Sequence, residues 1–420
     1  MIPHPEARSR RAAFALSLVS IATSCGTSLA NDPRPSDTVH APNVADATSP
    51  IDPAELSRRP HCPWPLWETY KRHFLEPDGR VVDHFAKHST SEGQAYALFH
   101  ALVARDADAF ARIHAWARDH LAGGDLGARL PAWKWVSDDG GKVADPNAAS
   151  DADLFIAYTL VHAAARFDTP DYASVGGRLL AQIERREVKD LPHLGPMMLP
   201  GPVGFTHRLG HRLNPSYLPI PLLRWAARMT SHRPDSPWPK MIETTLRMAE
   251  ESTPHRLYPD WVIWDHQTQR FVADDQAPPV SSYDAIRAYL WPALMPPDDP
   301  ARGRLLARGT GLLTHTRRLG FTPERLPVWH ELRDPLTPGP VGFDAVMATM
   351  ARALGDLSTA DSLMRRVAEK RRPDGLYGEP AFYYDHNLLL FALGFLEGRY
   401  AFRADGGLSL PEEGGPCTPR

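Results

Sequence analysis

Three cysteines among 420 residues leave little room for thiol chemistry. Cys25 falls in the amino-terminal segment, while Cys62 and Cys417 stand at opposite ends of the remaining chain. A cysteine nucleophile needs a thiolate beside a base, and these terminal positions disfavour one. Charge of one sign is missing too. The chain carries 47 basic and 50 acidic residues and shows no basic stripe, which argues against nucleic acid as a partner. Beyond residue 30 no stretch is apolar enough to span a membrane. No G-x-S-x-G elbow, P-loop or G-x-G-x-x-G turn occurs, so the motif-borne routes to serine hydrolysis and nucleotide binding are not signalled. Strand signals are scarce and short. A hydrophobic fraction of 43% with 23% charged residues marks a globular chain rather than a disordered one.

The amino terminus reads as an export signal. Arg8, Arg10 and Arg11 precede the apolar run Ala12 to Ala22, which is too short to cross a membrane as a helix. Ser28-Leu29-Ala30 suits small-residue cleavage, so residues 1–30 are assigned to the signal and localisation is expected to be exported, periplasmic or secreted. Ser9-Arg10-Arg11 with Phe14 resembles a twin-arginine signal. Ala22-Thr23-Ser24-Cys25 resembles a lipoprotein cleavage site, but lacks the usual leucine three residues before the cysteine. Residues 31–60, rich in Pro, Ser, Asp and Ala, are expected to form a flexible leader, and residues 61–417 a single folded domain. In an oxidising compartment Cys62 and Cys417 are expected to join its two ends as a disulfide; two free thiols are the alternative.

From Pro63 onward the apolar periodicity is helical. It predicts helices near 65–75, 90–104, 106–121, 150–167, 171–187, 215–230, 236–252, 281–294, 298–317, 341–355, 357–372 and 381–397. About twelve helices, paired through short turns, can close as six hairpins into an all-α ring of inner and outer helices, an (α/α)6 barrel; a solenoid of the same hairpins is the alternative. Pro-Gly-Pro-Val-Gly-Phe occurs at 200–205 and again at 338–343, where it leads directly into a helix. Proline and glycine there serve turn geometry.

Three of these helices begin alike. Ser89 and Glu92, Ser150 and Asp153, and Ser281 and Asp284 all show the S-x-x-[DE] spacing of a capping box, each followed by an apolar helical face. Most such acids only cap a helix, where negative charge is favourable. The alternative is that three parallel helices present their amino termini to one cleft. Two of the acids would then be the acid and base of a hydrolase. A helix amino terminus stabilises the ionised form, so an acid such as Glu92 would need desolvation or a nearby like charge from Asp151 or Asp153 to keep its proton.

Aromatic residues cluster outside the helices, at Trp133 and Trp135, at Trp261 and Trp264, and at Tyr217 and Trp329. Such rings serve equally well as platforms for sugars or as core, whereas Trp116 and Trp225, inside helices, are expected in the core. His207 and His211 have the spacing of helical metal ligands, but Gly210 between them favours a surface loop, and no metal is expected. Asp274-Asp275 and Asp298-Asp299 read as solvated turns.

The segment Ala149 to Ala157, ASDADLFIA, closely resembles the signature of glycoside hydrolase family 8. Thr90 to Tyr96 resembles the segment that holds that family's general acid, Ser282 to Arg287 the one that holds its base, and Asn214 to Tyr217 a further cleft segment. Thr159 departs from the signature, which favours a smaller residue. Cys62 to Glu68, Leu130 to Trp135, Asn214 to Pro219 and Pro338 to Phe343 also match the branch of the family encoded with bacterial cellulose synthase, so the resemblance runs from about 61 to 417. It implies an (α/α)6 barrel that hydrolyses β-1,4-glucan with inversion and without a cofactor. It further implies Glu92 as proton donor, Asp284 as base, Asp151 as a residue that binds and distorts the sugar, Tyr283 and Arg287 as positioning groups, and Trp133 and Tyr217 as sugar contacts. The β-1,4-glucan chain is the implied substrate, with the cellulose synthase/export complex as a further partner and a monomer as the expected state. Xylan, mixed-linkage glucan and chitosan are alternative substrates. A non-catalytic glycan-binding component of the secretion machinery is the alternative of another class.

Overall fold

Helices that are apolar on every side must be buried on every side. Five of the predicted helices have this character, and they form most of the inner wall of a ring. The computed structural model describes residues 62–331 and 335–411, and thirteen α-helices lie among them. The inner helices are α2 (Ser91–Val103), α4 (Ser150–Arg166), α6 (Ile220–Met229), α8 (Ile286–Leu294), α11 (Val341–Ala353) and α13 (Tyr383–Leu396). Each packs against the next, and α13 packs back against α2, so the ring closes. This is an (α/α)6 barrel.

The outer layer comprises α1 (Pro65–Phe74), α3 (Ala107–Trp116), α5 (Pro170–Arg186), α7 (Trp238–Glu251), the pair α9 (Arg302–Arg308) and α10 (Thr310–Leu319), and α12 (Leu357–Glu369). These helices are amphipathic. On α5 the buried side is Gly176, Leu179, Leu180 and Ile183, one stripe at helical spacing. Helix α1 comes first in sequence but packs on α13, completing the last pair of the ring.

The predicted helix over 298–317 is two helices, divided at Gly309. A side chain there would meet Met350 and Tyr289 at 2.7 Å, so the inner wall approaches the outer layer where only glycine fits. The helix expected to begin at 281 begins at Ile286 instead, and the one expected from 215 opens with a 3-10 turn (Pro215–Tyr217) before α6. Of the repeated hexapeptide, the first copy is a loop, whereas Pro340 of the second caps α11 and Val341 to Phe343 form its first turn.

Short strands lie between the helix pairs. Strands β1 (His88–Thr90), β2 (Lys134–Val136) and β3 (Lys142–Asp145) form one antiparallel sheet that leads straight into α2. Between α5 and α6, β4 (Val188–Leu191) pairs with β5 (Gly195–Met198). Strands β6 (Thr206–His207), β7 (Gly210–Leu213), β8 (Val262–Asp265) and β9 (Arg270–Ala273) form a four-stranded sheet. Trp264 on β8 is fully buried, its indole N–H donating to the Pro192 carbonyl, so it is core rather than a platform. Trp135 is also buried, edge-on to Trp116.

The expected solvated turns hold for the exposed Asp275 and Asp298 but not for their buried neighbours. Buried Asp274 accepts from Arg212 at 2.6 Å and buried Asp299 takes both prongs of the Arg224 fork at 2.7 Å, the pairing that burial demands, while Asp275 binds His207 and Arg208 at the surface. His207 and His211 belong to the β6–β7 hairpin, and His211 Nδ1 lies 3.1 Å from His266 Nε2. Cys62 is disulfide-bonded. Cys417, its expected partner, lies outside the described residues, as do the expected export signal and leader.

Candidate active site

Three inner helices, α2, α4 and α8, bring their amino-terminal ends together, and a single arginine joins them. Arg287, in the first turn of α8, is 2% exposed. Its Nη1 donates to Glu92 Oε2 at 2.5 Å, to Asp151 Oδ2 at 2.7 Å and to the Tyr96 hydroxyl at 2.8 Å; its Nη2 donates to Asp284 Oδ1 at 3.1 Å. Glu92 and Tyr96 are one helical turn apart on α2 and so share a face. Asp151 is buried, whereas 21% of the Glu92 side chain and 33% of the Asp284 side chain face solvent.

None of the three S-x-x-[DE] sequences forms a capping box. Thr90, not Ser89, caps α2, its hydroxyl accepting from the Gly93 N–H at 3.0 Å. No side chain of Ala149 or Ser150 caps α4. Ser282 donates its hydroxyl to Asp260, and Asp284 sits in the turn before α8. Glu92 and Asp284 are thereby free to meet Arg287, whereas Asp153 of the second sequence is buried beside Glu187 and it is Asp151 that joins them.

One guanidinium cannot neutralise three carboxylates. The cluster therefore favours retention of a proton. Burial is the main force that pushes Glu92 up to about 7, the charges of Asp151 and Asp284 adding to it and Arg287 opposing it. Burial likewise raises Asp151, against Arg287. Desolvation and like charge are the two conditions that the helix-terminus argument required for Glu92, and both act here. The Arg287 contacts also limit the geometry. Bonds of 2.5 Å and 3.1 Å on either side of a guanidinium fork about 2.3 Å wide hold Glu92 Oε2 and Asp284 Oδ1 no more than about 8 Å apart.

The model of glycosyl hydrolases family 8 matches residues 51–397. The chain belongs to this family. It is 38% identical to an endoglucanase of Xanthomonas axonopodis pv. citri over 375 residues, covering 88% of this chain and 95% of that protein. It is 38% identical to an endoglucanase of Escherichia coli (strain K12) over 369 residues, 87% of this chain and 95% of that one. The crystal structure of an endo-1,4-D-glucanase from Vibrio fischeri ES114 aligns with a TM-score of 0.73 at 36% identity, covering 83% of this chain and 99% of that chain.

Within this family 8 hydrolase, Glu92, Asp151, Asp284 and Arg287 meet as one cluster. Tyr217 borders it: the Arg287 guanidinium lies 5.4 Å from its ring centre, and burial, then the charges of Asp151 and Asp284, hold its phenol well above its usual range. Trp133 meets the residue before Glu92, its carbonyl accepting from the Ser91 N–H at 3.0 Å, while its indole stays half-buried beside Lys134. Tyr283 turns outward. Its ring meets Phe343 edge-on and its hydroxyl donates to Glu324 at 3.0 Å, so the side chain stands at the rim rather than in the cluster.

Several neighbours are not signalled by the sequence. Tyr96 was legible in principle, since it lies four residues after Glu92 on one helix. Tyr384 bridges to Tyr283, donating to its carbonyl at 2.8 Å, and its ring faces Arg287 at 6.0 Å. Asp260 holds the turn carrying Asp284, and Trp261 donates to Asp284 Oδ2 at 3.1 Å. No local pattern announces Tyr384 or Asp260, and the aromatic cluster that marks Trp261 does not announce its bond to Asp284.

Proposed function

We propose that the protein is an inverting endo-β-1,4-glucanase, exported from the cytoplasm, that trims glucan chains during bacterial cellulose synthesis or export. The observation that carries the catalytic reading is the single Arg287 guanidinium shared by Glu92, which retains a proton up to about pH 7, and Asp284. Hydrolysis of a glycosidic bond needs such an unequal pair of carboxyls. Glu92 donates its proton to the oxygen of the leaving sugar as that bond breaks. A water on the opposite face of the ring attacks the anomeric carbon, and Asp284 takes its proton. Asp151 binds the sugar at the cleavage point and helps distort it. Arg287 holds Asp284 in place, while Tyr217, Trp133 and Trp261 offer flat faces to sugar rings. Inverting enzymes hold the two carboxyls roughly 6.5–9.5 Å apart so that this water fits between them.

The substrate reading is supported by the names of the relatives, endoglucanases of similar length. Export rests on residues 1–30, and the place in cellulose synthesis on the branch that the sequence resembles. The deciding experiment is proton NMR of a soluble cello-oligosaccharide digest in the first minutes. Early α-anomer from the β-linked substrate is the expected result. Early β-anomer would overturn the roles given to Glu92 and Asp284. Absence of cleavage, with hydrolysis of xylan or chitosan oligomers instead, would overturn the glucan assignment.

A further inference from the structure

We propose that Asp260 and Trp261 form a clamp that positions Asp284, Asp260 by holding the turn that carries it and Trp261 by engaging one of its carboxyl oxygens. The inference rests on the reading of Asp284 as the base.

The residues Ser282 to Ala285 precede α8 rather than belonging to it, and no side chain of this segment caps the helix. A helix start leaves backbone N–H groups without partners. Asp260 supplies them from another part of the chain. Its Oδ1 accepts from the Ser282 N–H at 2.7 Å and from the Ala285 N–H at 2.9 Å, and its Oδ2 accepts from the Ser282 hydroxyl at 2.5 Å. The Asp260 N–H in turn donates to the Val280 carbonyl at 2.8 Å. One carboxylate thus grips both ends of the turn, and Tyr283 and Asp284 lie between the grips.

Trp261, the next residue, acts on the side chain. Its indole N–H donates to Asp284 Oδ2 at 3.1 Å, while Arg287 holds Oδ1. With Arg287 alone, a carboxyl one-third exposed could swing about a single bond; a donor on each oxygen fixes its plane. The indole is itself anchored, with the Arg212 guanidinium 4.8 Å from its ring centre and the Phe205 ring parallel to it at 6.0 Å. Burial pushes Asp260 up to about 6, and the negative charge of Asp284 adds to this. Small errors in aim are expensive, since a shift of about 1 Å can remove about a hundredfold in rate.

The test compares Trp261→Phe, Asp260→Ala, Asp260→Asn and Asp284→Asn in the full chain, with kcat and KM measured on a soluble cello-oligosaccharide. Trp261→Phe keeps a ring for Phe205, Arg212 and sugar, and deletes the donor to Asp284. It should lower kcat by about tenfold or more, the scale of one hydrogen bond to a charged group, with KM within about twofold. Asp260→Ala should lower kcat further, and Asp260→Asn, whose amide oxygen still accepts from backbone, should recover part of it. If Asp260→Ala does not fold, Trp261→Phe decides alone. An unchanged kcat in Trp261→Phe, or a rise in KM only, beside an inactive Asp284→Asn would overturn the clamp and leave the base in place. An active Asp284→Asn would instead overturn the base reading, and the clamp with it.

Discussion

Replacing Glu92 with glutamine removes a group that can release a proton while hardly changing the volume of the side chain. General acids contribute about 10²–10⁴ to such reactions, so the variant should lose at least about a hundredfold in kcat on cello-oligosaccharides. The loss should depend on the leaving group. An aryl β-cellobioside with an acidic phenol departs without protonation, and the variant should retain most of its rate on that substrate. The pH profile carries the same information. With Glu92 at about 7, roughly nine-tenths of the wild-type protein holds the proton at pH 6 and roughly one-tenth at pH 8, so kcat/KM should fall toward tenfold per unit above pH 7. The residual rate of the glutamine variant on the oligosaccharide should lack that limb. Stability provides an independent reading. Folding raises Glu92 from 4.5 to about 7, so the protein loses stability as pH rises through that interval, and a residue that cannot ionise escapes the loss. Relative to wild type, Glu92→Gln should gain up to about 3 kcal/mol between pH 4 and pH 8 in urea unfolding. Comparing one variant at two pH values cancels contacts that do not titrate. Equal losses on both substrates, or a rate within a few-fold of wild type on the oligosaccharide, would refute Glu92 as the proton donor.

Two further outcomes are expected. Asp385, buried in the first turn of α13, is raised from 3.8 to about 7 by burial against the Gly342 N–H, and its Oδ1 has no side-chain partner among the described residues. Its stabilising contribution is therefore present at low pH and lost as pH rises through 7, and Asp385→Asn should gain up to about 4 kcal/mol on wild type between pH 4 and pH 8; a pH-independent difference in urea unfolding would contradict this. Arg287→Ala leaves Glu92, Asp151 and Asp284 without their shared cation. It should cost about 3–5 kcal/mol at neutral pH as well as activity, and unfolding at the wild-type urea midpoint would mean that the ion cluster does not tie these helices together.

Much of the fold was legible because helical periodicity is written locally. Inner and outer helices alike follow the helical apolar periodicity of the sequence; that most inner ones are buried on every side, and outer ones such as α5 on one stripe, is decided by the ring. Where the reading slipped, a distant contact was responsible. The pattern over 298–317 is continuous, yet the chain breaks at Gly309 because Tyr289 and Met350 come close there. The pattern over 281–294 is continuous too, yet α8 starts at Ile286 because Asp260 holds the preceding turn out of the helix. Trp264 and Trp261, three residues apart in one aromatic cluster, differ for the same reason: one faces the core beneath the β6–β9 sheet and the other faces Asp284.

The site divides in the same way. Sequence alone determined which acids begin which helices, since their spacing from the apolar faces is a property of a few consecutive residues, and the motifs around Asp151 placed them in a family. It also suggested capping boxes, which the chain does not use. Only the tertiary structure decided that these acids share one cation. Glu92 and Arg287 are 195 residues apart, and the bond between them exists because the ring of inner helices closes. The upward push on the pKa of Glu92 is a consequence of that closure. Desolvation and the fields of Asp151 and Asp284 act through space over a few ångströms, and no local pattern in the chain encodes those distances.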